Sequence, residues 1–129
     1  MKGTEIVMKI HESGEMYLEN ILILRERIGR VRSIDIVNYS GYSKPSISRA
    51  VKLLQNAGCI SIDLEGYITL TESGEEIAQK ILARHKTLSE FLISIGVDEE
   101  TASEDACRME HVISDVTYER IRSFCEKNQ

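Results

Sequence analysis

Cys107, Glu110 and His111 hold the first, fourth and fifth places of the stretch CRMEH. In an α-helix those places share one face, so a sulfur, an oxygen and a nitrogen would project toward a single point, as in a partial metal site. A small buried hydrophobe beside a solvated Glu-His edge uses the same residue types, and these five residues alone leave both readings open. Ligand softness decides which ion such a site would take. Thiolate and thioether ligands favour Fe(II), Zn(II) or Cu(I), imidazole suits most late first-row ions, and an all-oxygen shell favours Mn or Mg. With Met16 added to Cys107, Glu110 and His111, the donors are S, S, O and N, too soft a set for manganese preference.

A second group of residues suits a polyanion. Between Arg30 and Asn56 the cations are Arg30, Arg32, Lys44, Arg49 and Lys52, and the acidic residue is Asp35. Double-stranded DNA admits an α-helix into its major groove, where phosphates take cations and hydroxyls while base edges take side-chain donors. Ser46, Ser48, Arg49 and Lys52 offer such groups.

The elements that must position these groups follow from period and punctuation. After Ser13, a candidate N-cap, Tyr17, Ile21, Leu24 and Ile28 recur at helical spacing up to Gly29, with Met16 and Glu19 on a different edge. Residues 33–57 divide into a short helix from Ser33 to about Tyr39, a turn at Ser40-Gly41-Tyr42 and a second helix. Ser43 caps that second helix, Pro45 lies in its first turn, and Ile47, Ala50, Val51 and Leu54 face a core. After Gly58 the period changes to that of strands in CISID and YITLT, on either side of Leu64-Glu65-Gly66, which predicts a β-hairpin. Two helices about a glycine turn followed at once by a hairpin describe a winged helix-turn-helix. Asp63 and Glu65 at the wing tip would repel phosphates, so a strong wing contact is not expected.

From Thr71, a candidate cap, a long helix carries Ile77, Ile81, Leu88 and Ile95 on one stripe, with His85 four residues after Ile81, and stops at Gly96. Asp98 caps a helix through CRMEH. Ser114-Asp115 starts another that carries Val116, Ile121 and Phe124. The expected fold is mostly α with a small β wing. The expected organisation is a winged helix-turn-helix domain over residues 1–73 and a helical metal-binding and dimerisation domain over residues 74–129.

At 129 residues, 42% hydrophobic and 29% charged, the composition is that of a globular protein. The net charge of −5 argues against an indiscriminate polyanion binder but leaves room for a local cationic face. Cys59, Cys107 and Cys125 are an odd, scattered set, which predicts reduced thiols. No apolar run approaches the roughly 20 residues of a membrane span, and the first residues carry no secretory pattern. The expected location is the cytoplasm, with no membrane partner.

The runs EMYLENILIL, GYSKPSISRAVKLLQNAGCI, LTESGEEIAQKILARHKTLSEFL and GVDEETASEDACRMEHVISD resemble the diphtheria-toxin-repressor and manganese-transport-regulator family of metal-dependent transcriptional repressors, from about Glu15 to Ile121. ACRMEHVISD is close to the iron-dependent branch. The resemblance implies that Met16, Cys107, Glu110 and His111 are ligands of the activating site, that His85 is a ligand at an ancillary site, and that Glu19 matches a carboxylate ligand of the manganese-type members. Those members have carboxylates where this chain has Met16 and Cys107, so Fe(II) is the expected ion, and Mn(II), Zn(II), Co(II) and Ni(II) are the others to test. At the ancillary site, Ser89 and Ser103 stand where the iron branch has a glutamate and a histidine, with Glu90 and Glu104 one residue away. The iron branch usually continues into an SH3-like domain, so the expected form is a short one with iron-type ligands. The family's DNA contacts map onto Ser43, Pro45, Ser46, Ser48 and Arg49. Its members are homodimers, which predicts a palindromic operator.

The implied mechanism is a metal-dependent repressor of metal-uptake genes, not an enzyme. Two other readings remain: a winged-helix regulator responding to redox state or an organic ligand through Cys107, with His111 lowering its pKa, and a metal hydrolase in which C-x-x-E-H makes Glu110 a general base.

Overall fold

The computed structural model describes the backbone of residues 2–128 and the side chains of residues 14–128. In chain order the elements are α1 (Lys2–Ile28), α2 (Ser33–Ser40), α3 (Lys44–Asn56), β1 (Ile60–Ile62), β2 (Ile68–Leu70), α4 (Glu72–Ser94), α5 (Glu99–Met109) and α6 (Asp115–Lys127). The fold is mostly helical with one small antiparallel hairpin. Two compact units, Met1–Gln79 and Lys80–Gln129, divide within α4.

In the first unit, α1 begins well before Ser13, at Lys2, and the side chain of Ser13 lies outside the described residues. No proline interrupts MKGTEIVMKIHES, so nothing in the local sequence forces a start at Ser13. Tyr17, Ile21 and Leu24 are buried as their spacing predicts, but Ile28 is half exposed because it is the last helical residue before the chain turns at Gly29.

The Asp35 carboxylate accepts the Arg32 N–H at 2.9 Å and holds the start of α2. Gly41 ends that helix at φ 78°, a left-handed conformation glycine adopts without steric cost. Ser43 then caps α3 by accepting the Ser46 N–H at 3.3 Å, and Pro45 falls in the first turn, where its missing N–H is not needed. Ile47, Val51 and Leu54 are buried.

The hairpin pairs Ile60 with Leu70 and Ile62 with Ile68. A third extended segment joins it, because Val31 bridges Ile68 and accepts the Ile68 N–H at 2.7 Å. Thr71 caps α4, with Oγ1 accepting the Gly74 N–H at 3.2 Å and donating to the Gly58 carbonyl at 2.6 Å. Gly74 permits this seat: a Cβ there would lie 2.0 Å from the Cys59 carbonyl oxygen.

In the second unit Ile81, Leu88, Ala102, Ala106 and Tyr118 are buried. Ile95 does not continue the α4 stripe. The helix ends at Ser94, and Ile95, its N–H still bonded to the Phe91 carbonyl at 3.2 Å, stands beside the turn at Gly96 and is 61% exposed. Asp98 and Ser114 cap α5 and α6, accepting from Thr101 N–H at 3.0 Å and Thr117 N–H at 3.2 Å. Regular α5 stops at Met109 rather than running through CRMEH. Glu110 keeps helical dihedrals as the C-cap, its N–H bonded to the Ala106 carbonyl, and His111 falls in the turn that follows. Of α6, Tyr118 is buried while Val116 and Phe124 are exposed. Among the described residues no helix is long and apolar enough to cross a membrane.

Candidate functional site

The first unit presents α3 as an exposed cationic helix. With its apolar residues turned inward, Ser43, Lys44, Pro45, Ser48, Arg49 and Lys52 are exposed, and Ser46 is half-buried, its Oγ 2.9 Å from Ser43 Oγ. Capping therefore occupies part of the hydroxyl capacity of Ser43 and Ser46. Tyr42, in the turn before α3, stacks edge-on against Tyr17 with centroids 6.1 Å apart and donates its hydroxyl to Met16 Sδ at 3.5 Å. Burial pushes the Tyr17 phenol up, Tyr42 adds to the shift, and the positive charge of Arg49 opposes it. Met16 is half-buried and Glu19 buried on α1.

The second unit gathers three of the other expected ligands. The fully buried Glu110 carboxylate has Oε2 2.8 Å from His85 Nδ1 and Oε1 3.3 Å from His111 Nε2. With the carboxylate ionised, the first contact requires a proton on His85 Nδ1, which leaves Nε2 of a neutral ring as a lone-pair donor. Cys107, one turn earlier on α5, is exposed. Ser89 is half-buried, whereas Ser103, Glu90 and Glu104 are exposed.

Arg84 holds this cluster together, and its role was not foreseen from the sequence. Buried within the second unit, it donates from Nη1 to the carbonyls of Glu110 at 3.3 Å and Ile113 at 3.0 Å, while Nη2 binds the Asp115 carboxylate and the guanidinium lies 5.0 Å from the Tyr118 ring centre. It ties the loop bearing Glu110 and His111 to the helix bearing His85. A signal was present: Ile81, Arg84 and Leu88 are spaced three and four apart, which puts a guanidinium on an apolar stripe.

Carboxylate and imidazole donors on one buried cluster suit a divalent transition-metal ion, and the sulfurs at Met16 and Cys107 are of a softness that favours the later members of that row. The donor chemistry therefore fits a metal.

Residues 71–129 match the family model described as iron dependent repressor, metal binding and dimerisation domain. The chain is 38% identical over 118 residues to an HTH-type transcriptional regulator of Methanocaldococcus jannaschii, covering 90% of this chain and 94% of that one. It is 34% identical over 130 residues to the transcriptional regulator MntR of Escherichia coli O6:H1, covering 99% and 84%. Among solved structures, that of the manganese regulator SloR superposes with a TM-score of 0.79 at 28% identity, over 88% of this chain and 53% of that one. The chain thus spans about half the length of that solved relative. These relatives are named as regulators, and the hydrolase reading gives way to them.

Proposed function

This chain belongs to the diphtheria-toxin-repressor and manganese-transport-regulator family of metal-dependent transcriptional regulators, and from that premise we propose that it represses metal-uptake genes in response to Fe(II), as a homodimer on a palindromic operator. The observation that carries the proposal is the buried Glu110 carboxylate flanked by the imidazoles of His85 and His111. Cys107, Glu110 and His111, with Met16, would hold the regulatory ion, and His85 and Glu19 are the further donors. Sulfur at Met16 and Cys107 supports Fe(II) over Mn(II), although solved relatives bear manganese in their names. When bound, the ion would supply positive charge to a set of carboxylate, thiolate, thioether and imidazole donors.

The residues of the chain do the rest. Arg84 fixes the Glu110 and Ile113 carbonyls, so the ligand-bearing loop is preorganised. Lys44, Arg49 and Lys52 neutralise phosphates while the α3 hydroxyls and Arg49 reach base edges. Exposed Ile95, Val116 and Phe124, with half-buried Phe91 and Ile121, line an apolar face of the second unit, Phe91 and Phe124 lying 6.1 Å apart edge-to-face, and this face supports dimerisation there. Metal alters DNA affinity only through a difference in its own affinity for the DNA-competent state, a coupling typically of about 1–3 kcal/mol.

The test is an anaerobic fluorescence-anisotropy titration of a palindromic uptake-promoter fragment with Fe(II), Mn(II) or chelator. Fe(II) is expected to tighten binding beyond Mn(II), and Cys107→Ala to abolish the gain. Equal affinity in all three conditions refutes metal control. Exposure of Cys107 favours one second reading, thiol sensing, which would be selected by chelator-insensitive but peroxide-sensitive binding.

A further inference from the structure

The wing carries a feature the recognition helix does not account for. Arg30 and Arg32 flank Val31, and in an extended segment alternate residues share a side, so the two arginines point away from the core that Val31 enters. Both guanidinium groups lie over the ring of Tyr67, each 4.2 Å from its centre. Tyr67 immediately precedes Ile68, the residue bonded to Val31, so the bridge that closes the hairpin also brings ring and cations together. Among the described residues neither guanidinium is paired with a carboxylate: Asp35 serves the Arg32 backbone N–H, and Asp63 Oδ1 accepts the N–H groups of Glu65 and Tyr67, each at 2.9 Å. Asp63 therefore shapes the wing turn. The cations of the wing sit at its base instead, and both arginines are exposed. Nearby, Arg27 lies 5.4 Å from the ring centre of Tyr39 on α2, extending the same chemistry.

We propose that Arg30, Tyr67 and Arg32 form a second DNA contact, in which two guanidinium groups held on one ring clamp the phosphate backbone beside the segment read by α3. The inference rests on the DNA-binding reading of this unit and extends its footprint. A guanidinium stacked by its face keeps its N–H edge for bidentate donation to phosphate oxygens, and holding it on the ring beforehand reduces the freedom lost on binding. Two like charges gathered at one ring repel, so they match a ligand carrying repeated negative charge. Since phosphate contacts carry no sequence information, this clamp would set affinity and orientation, leaving base choice to α3.

The test measures the slope of log affinity against log salt between about 50 and 200 mM, by anisotropy on a mixed-sequence duplex, using the full chain with and without added Mn(II). Arg30→Gln and Arg32→Gln are each expected to reduce the magnitude of the slope by about 0.9, and the double variant by about twice that, with or without metal. Tyr67→Leu should weaken binding while Tyr67→Phe restores it, and thermal melts establish that each variant folds. Unchanged slopes in the two arginine variants, alongside a reduced slope in Arg49→Gln, overturn the clamp and leave the recognition helix standing. Failure of the natural chain to bind any duplex overturns the DNA-binding reading together with the clamp.

Discussion

Replacing Arg84 with methionine separates a structural role from a metal-positioning one. Methionine keeps much of the buried stem but removes the donors to the Glu110 and Ile113 carbonyls, the ion pair with Asp115 and the contact with the Tyr118 ring. Each carbonyl hydrogen bond is worth about 1 kcal/mol net. The Asp115 side chain is 74% exposed, so its ion pair is screened and adds at most about 1 kcal/mol, and the cation–π contact adds a similar amount. Relieving the guanidinium of its desolvation cost offsets part of the loss, leaving an expected destabilisation of about 1–3 kcal/mol in urea unfolding. The larger effect is expected on the ligands. Freed from Arg84, the loop bearing Glu110 and His111 loses the hydrogen bonds that hold its carbonyls to α4, and loss of an outer-shell support typically weakens metal binding about 10–100-fold. Calorimetric titration with Mn(II) and Co(II) reads this directly. Arg84→Lys keeps the charge but not the planar fork that serves two carbonyls and a carboxylate, so it should fall between the two. A destabilised Arg84→Met chain with unchanged metal affinity would refute the positioning role, and unchanged stability would refute the strut itself.

Three further outcomes are expected. The Arg25 guanidinium, bonded to Glu75 at 2.5 and 2.8 Å and helped by Gln79, lowers the Glu75 carboxyl from its ordinary 4.5 to about 2. A depressed folded pKa contributes stability that is fully present above 4.5 and lost as pH falls toward about 2. Both side chains are about one-third exposed, so screening limits the contribution to about 0.5–1 kcal/mol, and the difference in urea midpoint between the natural chain and Glu75→Gln should close over that pH range. Gly74→Ala should lower Tm: alanine gains about 1 kcal/mol in helix propensity, but its Cβ would lie 2.0 Å from the Cys59 carbonyl oxygen and force two backbones apart, and a variant at least as stable as the parent would contradict that close approach. Phe124→Asp, at a half-exposed position, should leave the fold intact and shift sedimentation from dimer to monomer, whereas an unchanged sedimentation coefficient would remove this apolar face from the proposed dimer interface.

Features that depend on a few neighbouring residues were legible in the sequence. Ser43, Thr71, Asp98 and Ser114 cap their helices because a short side-chain oxygen beside a free backbone N–H acts within one turn. The two strands follow from a change of hydrophobic period, and the exposed cations of α3 follow from the inward places of Ile47, Val51 and Leu54. Helix ends were less legible. Spacing extended the apolar stripes to Ile28 and Ile95, but each stands at the end of a helix, next to the glycine at which the chain turns, and both are exposed. Cys107 is exposed on α5 while Glu110 is buried as its C-cap, although both belong to the five-residue stretch that first suggested a metal.

By itself the sequence determined the residue types of the candidate site, the winged helix that carries the cationic face, and the family to which the chain belongs. Only the tertiary structure decided that His85, distant in sequence from Glu110, meets its carboxylate, that Arg84 fastens the loop of Glu110 and His111, and that Tyr67 gathers Arg30 and Arg32. Caps and periodicity act over one or two turns, so they are written in adjacent residues. A contact across some 25 residues depends on how buried faces pack, and no local pattern specifies which buried charge will meet which partner.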